Sequence, residues 1–328
     1  MRFMASPIAL GIVGFGIMGE RLLRAALEHA AEVVRIAGVW DPAPEAAARL
    51  AAIAPGIPML PSAAAVIGAC DCLYIAAPPA VHLEHAGAAL AAGRAVFLEK
   101  PLAVDLHAAH AFVAHAEAAG ARAAVNFPMA SSPAVAQLSA WRDSGAVGRP
   151  DRLAIEVAFA TWPRGWQRDA ATWLSCRAQG GFTREVVSHF LFLTRRQLGP
   201  LSLLEAQAEY PGGEGSETAI RARLTAGGVP VTLSGSVGST AKDDHNTWTL
   251  EGPSGAIRLR DWSVAERRAA DGSWQEAADA MPNERMRPLV LRRQLEGVAA
   301  MTRGAQHHLA TLREALEVQE VVEAILAA

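Results

Sequence analysis

Two side chains in this sequence are placed to carry acid–base chemistry, Lys100 and His189. Lys100 follows the short apolar run Ala95-Val96-Phe97-Leu98, which is opened by Gly93-Arg94 and closed by Glu99-Lys100-Pro101. A run of this kind reads as a buried parallel strand, and open α/β sheets bind ligands at the carboxyl ends of their strands. Lysine is scarce here, since Lys100 and Lys242 are the only two among 30 Lys and Arg residues. An ammonium is a compact charge whose pKa responds to its surroundings, which a guanidinium is not. His189 lies in Gly180-Gly181-Phe182-Thr183-Arg184-Glu185-Val186-Val187-Ser188-His189-Phe190. Glycines before a helical pattern predict a helix start, with Glu185 and His189 one turn apart on one face. A carboxylate beside an imidazole stabilises the imidazolium and can fix its tautomer, which suits a general acid/base. The apolar neighbours Val186, Val187, Phe190, Leu191 and Phe192 make the helix largely buried. The alternative is a surface ion pair.

A second set of residues has the spacing of a nucleotide site. Ile8 to Val13 reads as a strand, Glu20 to Ala30 as a helix, and Gly14-Phe15-Gly16-Ile17-Met18-Gly19 joins them. This is G-x-G-x-x-G in the strand-to-helix context the motif needs. Gly14 permits the tight turn, Gly16 lets the backbone approach a pyrophosphate, and Gly19 lets helix and strand pack closely. The next strand, Val33 to Trp40, ends in Asp41, 22 residues beyond Gly19. A carboxylate there accepts hydrogen bonds from an adenosine 2′-hydroxyl and repels a 2′-phosphate. No Arg or Ser stands immediately beside it, so NAD is favoured over NADP. At another strand end, Ala77-Pro78-Pro79 stops the ladder, because proline donates no hydrogen bond. These residues are expected to shape the wall beside the nicotinamide ribose. His82 follows them, either facing the cofactor or solvated in a first helical turn.

The elements that position these groups come in two sets. Strands alternate with helices from Ile8 through Asn126, including a short third strand at Ile57 to Leu60 and a sixth at Ala121 to Asn126. That alternation predicts α/β architecture with a doubly wound parallel sheet. Beyond it, Leu153 to Ala160, Leu203 to Glu209, Thr218 to Thr225, Val229 to Gly235 and Thr247 to Glu251 read as strands. Hairpin signals at Gly227-Gly228 and Pro253-Ser254-Gly255 lie among them. Helices at Pro288 to Met301 and Leu312 to Leu326 close the chain. The expected division is a nucleotide-binding domain over residues 1–127 and an α+β domain, with a mainly antiparallel open sheet, over residues 128–328.

Composition narrows the classes. The 328 residues are 51% hydrophobic and 19% charged, with a net charge of −3, so a globular protein of two domains is expected. The charge offers no electrostatic case for nucleic acid or an anionic membrane. No apolar run approaches the roughly 20 residues of a membrane span. The run Ile8 to Val13 is broken by glycine and lacks a basic leader, so secretion is not expected. Cys70, Cys72 and Cys176 are too few for a disulfide framework, and Cys70-Asp71-Cys72 is not a zinc spacing. A cytoplasmic protein without a metal site is expected.

The segment Thr161 to Gln179 carries Trp162, Arg164, Trp166, Arg168, Trp173 and Arg177. Aromatic rings and guanidinium groups beside the His189 helix could stack on a sugar face or grip a carboxylate. They could equally be core and subunit-interface anchors.

Taken together, Gly14-x-Gly16-x-x-Gly19, Asp41, Pro78-Pro79-x-x-His82, Glu99-Lys100-Pro101 and Gly180-Gly181 leading into Glu185-x-x-x-His189 resemble the Gfo/Idh/MocA oxidoreductases. That group is named for glucose-fructose oxidoreductase and inositol dehydrogenase. The motifs run in the family's order, and the closing helix through Leu326 is similar too. The resemblance implies a Rossmann domain followed by an α+β domain whose open sheet mediates homodimers or homotetramers. It also implies bound NAD(P) and hydride transfer at a secondary alcohol of a sugar, polyol or sugar acid. Lys100 would match the family's active-site lysine and His189 its catalytic histidine. Glu185 stands where the family usually has aspartate, and Phe192 where a second aspartate is common. Asn126-Phe127-Pro128-Met129 lacks the arginine often found after the sixth strand. The last two departures make the site less polar.

On this reading His189 takes the hydroxyl proton while Lys100 hydrogen-bonds the same oxygen. Asn126 and the tryptophan and arginine set would contact substrate. Two alternatives remain open: an NAD-dependent glycosidase on the same scaffold, with no net NADH, and a non-catalytic cofactor-binding regulator.

Overall fold

The computed structural model describes residues 6–328, apart from the side chains of residues 168–170. The chain forms two compact units, one made of the described residues up to Ser131 with Pro288–Leu316, the other of Ser132–Arg287 with Glu317–Ala328.

In the first unit, β1 (Ile8–Val13), α1 (Ile17–His29), β2 (Val34–Trp40), α2 (Glu45–Ile53), α3 (Ala63–Ala69), β3 (Cys72–Ile75), α4 (His82–Ala91), β4 (Ala95–Leu98), α5 (Leu106–Ala118) and β5 (Ala123–Val125) follow in order. The five strands form one parallel sheet in the order β2-β1-β3-β4-β5. β1, β3 and β4 are buried at every position, as continuous apolar runs covered on both faces must be. The strand expected at Ile57 to Leu60 is reduced to a single parallel bridge between Val39 and Met59. Pro58 and Pro61 flank it and have no N–H to extend a ladder. Cys70 and Cys72 are buried free thiols. Burial pushes their pKa values up to about 11 and about 12, so both stay protonated packing groups.

In the second unit α6 (Pro133–Asp143) precedes β6 (Arg152–Phe159), followed by α7 (Ala171–Leu174) and α8 (Ser188–Leu198). The strands β7 (Leu201–Glu209), β8 (Ala219–Ala226), β9 (Val229–Val237), β10 (Asp244–Gly252), β11 (Gly255–Arg260), β12 (Val264–Arg268) and β13 (Trp274–Glu276) come next. The eight-stranded sheet has the order β13-β12-β11-β10-β6-β9-β8-β7 and is antiparallel except for the β6–β9 pair. β11, β12 and β13 extend it beyond the five strands expected from the sequence. The β8–β9 hairpin turns on Gly227 and Gly228, at φ of +54° and +85°, the two positive angles a two-residue type I′ turn requires.

The chain then forms α9 (Asn283–Thr302) and α10 (Leu312–Leu326). Residues 288–316 do not stay with the second unit, as an unbroken division after residue 127 implies. Leu295, Val298, Ala299, Met301 and Leu309 are buried in the same core as Leu10, Tyr74 and Phe97, and Ala310 bridges the edge strand at Val125. The parallel sheet needs these apolar faces to cover it. Among the described residues, no helix is long and apolar enough to cross a membrane.

Candidate functional site

The carboxyl ends of β1 to β5 set the cofactor candidates side by side. Backbone hydrogen bonds fix their register: Gly14 N–H to Trp40 O at 2.9 Å, Ala76 N–H to Val13 O at 2.8 Å, Glu99 N–H to Ile75 O at 2.9 Å, and Asn126 N–H to Leu98 O at 2.7 Å. The three loop glycines have different reasons to be glycine. Gly14 has φ +92°, and a Cβ on it would lie 2.5 Å from Ala76 and Ala77 backbone atoms. On Gly19 it would lie 2.1 Å from the Gly14 carbonyl oxygen. A Cβ on Gly16 would meet nothing within 4 Å, so its absence leaves open space at the start of α1. Gly16 is the N-cap of that helix and gives it no side-chain cap. First-turn N–H groups beside such a space fit a pyrophosphate.

Phe15 is buried, while Ile17 and Met18 are half-buried. Asp41 is tied to the loop, accepting from Phe15 N–H at 2.6 Å and from Ala43 N–H at 2.8 Å. Its carboxylate is thereby fixed at the end of β2, where the ribose acid belongs. Arg49 reaches in from α2, donating to the Phe15 carbonyl and lying 5.4 Å from the Phe15 ring centroid. Proximity in sequence gave no sign of it.

His82 is not a solvated histidine. It is fully buried, with Nε2 2.7 Å from the Ala77 carbonyl oxygen and Nδ1 3.0 Å from that of Pro101. The ring therefore ties the loop after β3 to the loop that carries Lys100. Two carbonyls invite two N–H groups, but burial pushes the imidazole pKa down, which favours a neutral ring donating to one of them. Pro78 is exposed and Pro79 half-buried.

Lys100 is half-buried, whereas Glu99 before it and Asn126 are buried. A polar chain runs under the strand ends. Tyr74 Oη and Asn126 Nδ2, the latter at 2.6 Å, both donate to Glu99 Oε1, and Gln294 Nε2 of α9 donates to Asn126 Oδ1. Buried networks of this kind hold a backbone rigidly when satisfied. Burial and the Glu99 charge raise the Tyr74 pKa well above its ordinary value, so the phenol remains a donor. Glu99, beside Lys100 in the chain, and Asn126, expected at the substrate, thus bond to each other and to the neighbouring Tyr74 and Gln294. The sequence offered no signal for Gln294.

In the second unit, the glycine-led helix starts differently from expectation. Thr183–Val187 is a π-helical turn running into α8, with Ser188 N–H bonded back to Thr183 O. π-turns inside helices recur at functional sites. Gly180 permits close passage under α7, since a Cβ there would lie 2.3 Å from the Leu174 carbonyl oxygen. Glu217 caps the turn: its Oε1 accepts from Thr183 N–H at 2.7 Å. Arg184 pins it further, with a bidentate pair to Glu323 at 2.7 Å on both nitrogens. Glu185 is half-buried, and His189 is 8% exposed. The His189 ring meets Trp262 edge-to-face, with centroids 5.5 Å apart and planes at 75°. Nothing in the sequence placed Glu217 or Trp262 beside this helix.

These are the parts of a dinucleotide-binding Rossmann unit and a histidine-bearing α+β unit. Residues 8–127 match the family model described as "Oxidoreductase family, NAD-binding Rossmann fold". Over those residues the chain is similar to the Gfo/Idh/MocA oxidoreductases. It is 36% identical over 118 residues to inositol 2-dehydrogenase of Cereibacter sphaeroides, covering 35% of this chain and 34% of that one. The chain spans 34% to 58% of the length of the curated relatives compared with it. The fold is similar over nearly the whole chain to an oxidoreductase from Thermotoga maritima, with TM-score 0.82, 19% identity, and 98% and 96% of the two chains covered. It is also similar to an oxidoreductase from Agrobacterium radiobacter in complex with NAD+, L-tartaric acid and magnesium, with TM-score 0.79, 19% identity, and 97% and 95% covered.

In the second unit the tryptophan and arginine loop splits by role. Arg164 is 8% exposed, donating from Nη1 to Asp244 at 2.7 Å and from Nε to Gln167 at 3.0 Å. Its guanidinium lies 4.8 Å from the Trp166 ring centroid and 5.6 Å from that of Trp162. Trp162 packs on Phe159 and Phe182 and donates to the Leu174 carbonyl at 3.1 Å. Arg177 lies 3.8 Å from the Tyr210 ring centroid. Trp166 and Trp173 are 48% and 41% exposed and keep apolar rings at the surface. The Arg168 side chain lies outside the described residues. Among the described residues, no cluster of His, Cys, Asp or Glu is arranged to hold a metal ion.

Proposed function

We propose that this protein is an NAD-dependent dehydrogenase or reductase acting on a CH–OH group of a sugar, polyol or sugar-acid-like substrate. The open space at Gly16, beside an uncapped helix start and the fixed Asp41 carboxylate, carries the cofactor half of the reading. Bound NAD supplies the hydride acceptor or donor. Gly14, Gly16 and Gly19 set the backbone for its pyrophosphate, and Asp41 accepts from its ribose hydroxyls and repels a 2′-phosphate. In this reading His189 is the group that exchanges the proton of the substrate hydroxyl, and Lys100 is the cationic donor that stabilises developing negative charge. Half-burial strengthens that interaction. The name inositol 2-dehydrogenase carried by a relative supports a polyol or sugar as the substrate class. The exposed rings of Trp166 and Trp173 suit the C–H face of such a substrate. The same reading assigns the open eight-stranded sheet to a homodimer or homotetramer.

The experiment is NADH formation by the purified protein on a panel of inositols, sugars and sugar acids, with Lys100→Met and His189→Ala alongside. Turnover on at least one substrate, lost in both variants, is expected. Near wild-type turnover in either variant removes that residue's role. Released reducing sugar without NADH would mark the glycosidase instead, and cofactor binding without any turnover would mark a regulator.

A further inference from the structure

Asp261 and Trp262 are the only non-glycine residues at positive φ among the described residues, at +47° and +72°. They form the turn between β11 and β12. Left-handed backbone costs a residue with a Cβ, most of all a bulky one, and glycine takes it without penalty. Persistent strain of this sort collects at functional sites, where surrounding contacts over-determine it. Here those contacts can be named. Asp261 Oδ1 accepts from His245 Nδ1 at 2.7 Å and from Asn246 N–H at 3.3 Å, and Oδ2 accepts from Lys242 at 3.2 Å. The Trp262 N–H donates to Asn246 Oδ1 at 3.0 Å, and its indole N–H to Asp244 Oδ1 at 3.1 Å. Asp244 is held in turn by Arg164 at 2.7 Å and by Asn246 Nδ2 at 3.3 Å. The half-buried indole, gripped at backbone and ring nitrogen, ends against His189 and Phe190, with centroids 5.5 Å and 5.2 Å away.

We infer that Trp262 is a positioning residue for His189, and that the left-handed Asp261-Trp262 turn exists to aim the indole at the imidazole. The inference rests on the reading of His189 as the acid/base group. A glycine would relieve the backbone but supply no ring, which accounts for a tryptophan in a place that favours glycine. The Asp244–Arg164 pair is then the brace behind the indole. This gives Arg164 work other than the substrate contact its sequence position suggested.

Trp262→Gly removes the ring and leaves a residue that adopts the turn freely. Trp262→Phe restores a ring without the N–H that Asp244 receives. In the full chain, NMR of histidine rings follows the His189 titration without substrate, its signal among ten histidines identified by its loss in His189→Ala. Removing the edge-to-face partner is expected to move the His189 midpoint by about 0.5 pH unit, with Trp262→Phe lying between Trp262→Gly and the native chain. On an accepted substrate, kcat should fall by about tenfold or more in Trp262→Gly, with the KM for NAD unchanged and partial recovery in Trp262→Phe. An unmoved titration in Trp262→Gly overturns the inference, as does a moved titration with unchanged kcat while His189→Ala is inactive. If His189→Ala stays active, the acid/base reading fails, and the titration alone then judges the Trp262 contact. Should Trp262→Gly fail to fold, Trp262→Phe decides by the same two readouts.

Discussion

The carboxylate of Glu217 occupies the place where a side chain on Gly181 would have to go: a Cβ there would lie 2.2 Å from Glu217 Oε2. Gly181 also has φ +99°, so two separate constraints keep it glycine, one steric and one conformational. Gly181→Ala is expected to destabilise the fold by about 2–4 kcal/mol, combining backbone strain with overpacking. Adding Glu217→Ala should recover the steric part and leave the conformational part. A double-mutant cycle in urea measures both, and strict additivity would show that the two residues do not compete for space.

Glu217 itself predicts a pH dependence. Burial pushes its carboxyl pKa up, against the hydrogen bonds from Thr183. The native state therefore holds the proton more tightly than the unfolded chain, and stability from this group falls as pH rises from the unfolded value through the raised one. Glu217→Gln keeps an acceptor for Thr183 without the charge. Its unfolding midpoint should decline less than that of the native chain over this window. Parallel curves for the two proteins would rule the effect out.

Gly16→Ala and Gly19→Ala should separate cofactor binding from folding. The first places a methyl in open space and should change stability by less than about 1 kcal/mol, while weakening NAD binding tenfold or more, since the methyl would stand where the pyrophosphate belongs. The second collides with the Gly14 carbonyl and should lower thermal stability whether or not cofactor is present. Calorimetric titration with NAD and melting curves test both.

Tyr74 and Tyr210 are the only tyrosines, and burial raises both pKa values. Spectrophotometric titration of the native protein should show no phenolate from the fully buried Tyr74 at the ordinary tyrosine pKa, its absorbance appearing only on unfolding. Stability from both groups is complete below about pH 10 and declines above it. Tyr74→Phe removes one donor to the buried Glu99 carboxylate and should cost about 1–3 kcal/mol.

What the sequence made legible follows a physical rule. Motifs set by local backbone demands stood out: Gly14 and Gly19 because neighbouring backbone fills their Cβ space, Gly227-Gly228 because a tight hairpin needs two positive angles. Apolar runs such as Ala95 to Leu98 announced a sheet covered on both faces. Partners distant in the chain did not announce themselves. Glu217 caps a turn 34 residues earlier, Gln294 meets Asn126 across 168 residues, and Trp262 sits in a turn whose φ predicts glycine. His82 was visible as a histidine, yet its two carbonyl neighbours emerge only when the loops after β3 and β4 lie side by side.

The return of residues 288–316 to the parallel-sheet unit has a consequence for how the protein is made. When β5 leaves the ribosome, the nucleotide-binding unit still lacks Leu295, Val298, Met301 and Leu309 of its core, and Gln294 under its strand ends. At ordinary translation speeds those residues arrive roughly ten to forty seconds later. Until then the first unit waits with apolar surface uncovered, while everything between Ser132 and Arg287 is synthesised. A fragment ending near residue 131 is therefore an unfinished domain and a natural client for a chaperone. Co-expressing it with residues 283–328 is a more promising route to a cofactor-binding half than expressing it alone.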